Sequence, residues 1–186
     1  MWPRDIGSGC LIAWPSISLT MTDPRGYITA YFQGERTELI TFLAFTVVLL
    51  IAAIGLWSTR DAFARPLAIV LVACAVASCS VSIPLLLRDG PHKARLLERI
   101  GQGEAATVVQ EETARMETVA RNYPYYRYLY AAVILAVVVL VFFFRNATTL
   151  GISVGLLVFA AAGFVVDHNS ETRAEVYLNH LKTGNP

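Results

Sequence analysis

The sequence predicts an all-α fold: a four-transmembrane-helix bundle with cytoplasmic helical segments. Three observations lead there. Of the 186 residues, 55% are hydrophobic and 16% are charged, against about 25% charged in soluble domains. Four apolar stretches, at 39–57, 67–87, 128–144 and 148–166, each come close to the roughly 20 residues a helix needs to cross the hydrocarbon core. The charged residues gather in three segments that an even number of spans would bring to one side.

In chain order, residues 1–26 read as an irregular, dispensable extension broken by Pro3, Gly7, Gly9 and Pro15, with no signal-peptide pattern. Residues 27–186 read as a single four-span membrane domain. The first span, Leu39–Trp57, contains only apolar residues, Gly and Thr. The second, Leu67–Leu87, carries Pro84 late enough to kink only its end. A cytoplasmic helical segment at 92–123 follows, with Asp89-Gly90-Pro91 expected to break the chain before it and Gly101 to Gly103 dividing it. The third span opens on tyrosines and closes on Phe142, Phe143 and Phe144, where aromatic rings suit the headgroup region. The fourth places Gly151 and Gly155 at a small-xxx-small spacing and continues as a C-terminal helix at 167–181.

Of the 15 basic residues, twelve fall on the side shared by both termini and the 88–127 segment, and three (Arg60, Arg65 and Arg145) on the other. That asymmetry predicts cytoplasmic termini, and the compact loops suggest a bacterial inner membrane. The net charge of +1 offers no field for nucleic acid. Cys10, Cys74 and Cys79 form neither a disulfide framework nor a zinc spacing. No phosphate loop, nucleophile elbow or zincin signature is present, so no cofactor is expected. The four spans hold no charged residue, which weighs against an ion-coupled transporter.

The chemistry therefore rests on the three polar segments. Glu35, Arg36 and Glu38 lead into the first span, with the two acids one turn apart. Glu112, Arg115, Val119 and Asn122 follow at helical steps and predict a packed stripe in which Glu112 and Arg115 satisfy each other or a partner. Asp167, Glu171, Arg173 and Tyr177 leave the fourth span at turn spacing, and Asp167, His168 and Glu171 together can be drawn as weak metal-ligand candidates.

These segments carry a resemblance. Tyr31-Phe-x-Gly34-Glu35-Arg36-x-Glu38, then Glu112-x-x-Arg115-Met116-x-x-Val119-x-x-Asn122-Tyr123, then Asp167 with Glu171-x-Arg173-Ala174-x-x-Tyr177 resemble a family of small, uncharacterised bacterial membrane proteins with four predicted spans. The resemblance covers residues 27–181 and implies the fold but no activity or ligand. His168-Asn-Ser170 departs from its pattern, where an aromatic and a small residue are usual.

The expected function is that of a non-enzymatic membrane protein whose cytoplasmic charged face binds a protein partner, in the manner of an immunity-type or regulatory protein, or pairs with its own copies. Two other classes compete with it: a headgroup-level enzyme or metal-dependent site, and a small oligomeric channel built on the glycines of span four and the serines of span two.

Overall fold

The structure, a computed structural model, describes residues 23–183. Most of the extension expected to be irregular, with Cys10, lies outside the described residues. Five helices follow in order: α1 (Pro24–Ser58), α2 (Ala64–Gly101), α3 (Ala105–Ala120), α4 (Tyr123–Phe143) and α5 (Ala147–Thr183). Helix α1 starts within the stretch expected to be irregular, because Asp23 accepts a hydrogen bond from the Arg25 N–H at 3.0 Å and Pro24 occupies the first turn. A carboxylate cap and a proline that needs no N–H partner together set a helix start.

Four stretches are long and apolar enough to cross a membrane: α1, α2, the α3–α4 stretch and α5. Their apolar side chains point outward, with Ile54 73%, Leu87 71%, Leu135 64% and Phe143 70% exposed. So much exposed apolar surface suits a hydrocarbon solvent and not water. The chain has the make-up of a multi-pass membrane protein.

Two local expectations fail. Asp89-Gly90-Pro91 does not break the chain; α2 runs through both Pro84 and Pro91. A proline inside a helix costs about 3 kcal/mol or more through the lost hydrogen bond and ring clash. Packing offsets that cost here, since Asp89 and Leu96 are buried on either side of Pro91. The helix that carries the third apolar run also starts before that run: α3 stops at Ala120 and α4 starts at Tyr123, with Pro124 in the first turn, where proline is tolerated. Between α2 and α3 the turn uses Gly103 at φ +91°, a conformation that side chains with a Cβ resist.

Helices α1, α2 and α5 pack mutually, while α4 packs chiefly on α5. Glycine decides the closest approach. A Cβ at Gly151 would lie 2.3 Å from the Phe63 carbonyl oxygen, and one at Gly155 would lie 2.7 Å from the Val70 side chain. The small-xxx-small face of α5 thus meets α2, not the sequence-adjacent α4. Helix α4 instead sets Tyr130 against Gly163. Toward the membrane interior Ala53, Leu67, Ala68 and Leu71 form a small core. A larger one, containing Ile28, Tyr31, Phe32, Leu96, Val108, Met116, Tyr123 and Tyr177, lies at the polar ends of the helices. The long helices α1, α2 and α5 carry the separated polar segments into this one layer, with α3 laid against it.

Candidate functional site

The layer is organised by a stripe on α1. Tyr27, Tyr31, Glu35 and Glu38 recur at steps of four, four and three, which is one helical face. That face meets α5. The Tyr31 and Tyr177 rings stack at 4.3 Å between centroids and 11° between planes. Tyr27 tilts against Tyr177 at 6.0 Å. Arg173 donates to a Glu38 carboxylate oxygen, both side chains being largely buried.

Helix α3 closes the layer with Glu112, which is 2% exposed. Its carboxylate accepts from Arg115 Nε at 2.8 Å and Nη2 at 2.5 Å, and from the Tyr177 hydroxyl at 3.3 Å. The Nε2 atom of His92, on α2, lies 3.6 Å from the same carboxylate. One acid therefore links α3 to α5 and stands against α2. Burial alone would lower the Arg115 pKa, but the Glu112 hydrogen bonds and charge hold it above the ordinary guanidinium value. Burial, then the Glu112 charge, raises the Tyr177 hydroxyl, and burial with the Glu35 charge raises Tyr31. Tyr123 is pushed up to about 12 by burial, with its Ser170 hydrogen bond opposing the shift. These phenols stay protonated donors throughout the physiological range.

Around this centre Arg127 donates to Glu171. Lys182 pairs with Glu117 at 2.7 Å, and Arg99 with Glu104 at 2.8 Å and Glu111 at 2.6 Å. The last three pairs are half-exposed and contribute little to stability.

The residues singled out from sequence therefore have different fates. Glu35, Glu38, Glu112, Arg115, Arg173 and Tyr177 converge on the α1–α3–α5 contact, and Glu171 joins through Arg127. Arg36 is exposed. Asn122 is also exposed and not part of the packed stripe, because α3 ends at Ala120 and the helical period stops with it. The Asp167, His168 and Glu171 trio does not assemble. Adjacent residues on a helix point about 100° apart, so His168 turns outward to stack on Phe164 while Glu171 faces Arg127. Among the described residues no three His, Cys, Asp or Glu side chains gather to hold a metal ion. His92 carries no sequence signal of its role, since no local spacing places it beside Glu112, twenty residues on.

Comparison with models of known protein families, with curated proteins and with solved structures returns no match.

Two predictions follow from this geometry. Glu112→Ala or Arg115→Ala alone leaves a charge without its partner in the layer, and losing one member of a buried pair costs about 3–5 kcal/mol. The double variant should lose clearly less than the sum, as read by thermal unfolding in mild detergent; additive losses would rule out the pairing. Asp167 supplies a pH dependence. Burial, then the Glu171 charge, raises its pKa, against the opposing charges of Arg127 and His168. A carboxyl raised in the folded state penalises folding above that raised pKa, and the penalty vanishes once pH falls below the unfolded value of 3.8. Asp167→Asn should therefore raise the melting temperature at pH 7–8, with the gain shrinking toward acid pH.

Proposed function

We propose that this protein is a non-enzymatic interaction protein of the bacterial inner membrane, with both termini and the charged layer on the cytoplasmic side, where that layer presents a binding face to a protein partner. One observation carries the reading: three acids of the layer are committed to guanidiniums of the layer. Glu112 holds Arg115, Glu38 holds Arg173, and Glu171 holds Arg127. Side chains committed in this way fix the relative positions of helices, which favours a rigid platform over a site with free acid and base groups. Exposed Arg36 on α1, Arg95 on α2 and Arg121 in the turn after α3 supply cationic contacts at the platform's surface. Arginine is well suited to that role because its planar fork binds carboxylates in two-point fashion. The basic asymmetry of the sequence supports the cytoplasmic orientation, and the resemblance to small four-span bacterial proteins supports the setting.

The reading is tested by incorporating a photocrosslinking residue at Arg36, Arg95 or Arg121 in the full chain, with lipid-facing Ile54 as the control, in native membranes. The same discrete protein should be captured from at least two of the three positions and not from Ile54. Adducts to lipid alone, or equal capture from Ile54, would contradict it.

A further inference from the structure

The end of the bundle opposite the charged layer carries an unbalanced charge. Two short links meet there: residues 59–63 join α1 to α2, and residues 144–146 join α4 to α5. They touch, since the Thr148 hydroxyl reaches the Ala62 carbonyl at 3.5 Å and Gly151 sits against the Phe63 carbonyl. The links and the helix turns beside them hold three guanidiniums, Arg60, Arg65 and Arg145, and one carboxylate, Asp61. All four residues are exposed. Asp61 accepts a hydrogen bond from the Phe63 N–H at 2.6 Å. Among the described residues none of these three arginines has an ion-pair partner. In the charged layer, by contrast, Arg99, Arg115, Arg127 and Arg173 are each paired with an acid. Arg60 has φ +58°, a conformation that glycine or asparagine enters more easily, so the turn itself does not call for arginine.

We propose that this end binds anionic phospholipid, with Arg60, Arg65 and Arg145 together holding its phosphate groups. The planar fork of arginine matches phosphate oxygens in two-point fashion, and three positive charges against one negative favour an anionic headgroup over a zwitterionic one. Depth favours a lipid over a soluble anion. Arg145 directly follows Phe144, Arg60 lies three residues past Trp57, and Arg65 two before Leu67, so links this short keep all three close to the ends of the apolar runs. Trp57, Phe142, Phe143 and Phe144 are exposed beside them, and aromatic rings favour the headgroup region. The Arg65 guanidinium carbon stands 5.9 Å from the centre of the Trp57 ring, a cation–π contact that orients it toward the lipid. Because the two links touch, one headgroup region can engage arginines from both. The inference depends neither on a protein partner at the other end nor on which side of the membrane this end faces.

Trp57 serves as the reporter. Trp2→Phe with Trp14→Phe leaves it the one tryptophan of the full chain. That chain is reconstituted in phosphatidylcholine bilayers containing brominated phosphatidylglycerol or, at the same mole fraction, brominated phosphatidylcholine, and contact with bromine quenches the indole. Quenching should show phosphatidylglycerol beside Trp57 at about fivefold the occupancy of phosphatidylcholine, the factor expected of about one basic residue at an anionic surface. The excess should fall as salt is added, because exposed charges are screened. Arg145→Gln, which leaves the Arg65–Trp57 contact in place, should cut the excess, and adding Arg60→Gln and Arg65→Gln should abolish it. Arg36→Gln, at the other end of the bundle, should leave it unchanged. Equal quenching by the two lipids with all three arginines present would overturn the proposal whatever the variants do. An excess that salt does not reduce, or that survives the triple substitution, would overturn it as well.

Discussion

The polar end of the molecule depends on the burial of one carboxylate. Glu112 is 2% exposed on the 16-residue helix α3, and a charge so placed is tolerable only if its lone pairs are filled. Arg115 fills them from the next turn of the same helix and Tyr177 from α5. Because Tyr177 also stacks on Tyr31 of α1, satisfying Glu112 fixes three helices at once. Met116 and Val108, fully buried beside it, add the apolar contact that a polar joint alone would lack.

The apolar end follows a different rule. Lipid tails are as apolar as the side chains, so helix association there rests on close packing. The contact of Gly151 with the Phe63 carbonyl lets the start of α5 sit directly on the start of α2, and Thr148 reaches the Ala62 carbonyl at 3.5 Å beside it. With α2 and α5 joined at that end, and α1 joined to α5 at the other, the long helices act as rigid arms that deliver residues far apart in sequence to a common layer. Helix α4, held mainly through α5, leaves most of its surface to the lipid.

Much of this is legible in the sequence, and for clear reasons. The four apolar runs announce themselves because the bilayer sets a length that few other structures need. The Glu112 and Arg115 partnership is a local i, i+3 relation, and local relations can be read from spacing. The α1 stripe of Tyr27, Tyr31, Glu35 and Glu38 is legible in the same way, but its counterpart on α5 is not: the stacking of Tyr31 on Tyr177 and the Glu38–Arg173 bond are set by helix crossing. Pro91 misleads because proline is a breaker only where packing does not sustain the helix. Asn122 misleads because a periodic pattern carries no mark of where its helix stops. Asp167, His168 and Glu171 look like a ligand set in one dimension, but winding them onto a helix turns His168 away from the other two.

The proposed function rests on the contrast between the two ends. The apolar end anchors the chain, and the polar end is a preorganised surface whose charges hold its own helices in place. A rigid surface loses little entropy when something binds to it, which suits recognition of a partner better than chemistry that needs uncommitted acids and bases. The central claim, that buried Glu112 locks α3 onto the layer, is tested most directly by amide hydrogen exchange of the full chain in detergent. If the lock holds, the amides of α3 between Val108 and Met116 exchange as slowly as those of α5 around Tyr177, and Glu112→Ala speeds both together. Fast exchange across α3 in the wild type, with α5 protected, would show α3 to be detached and would contradict the account.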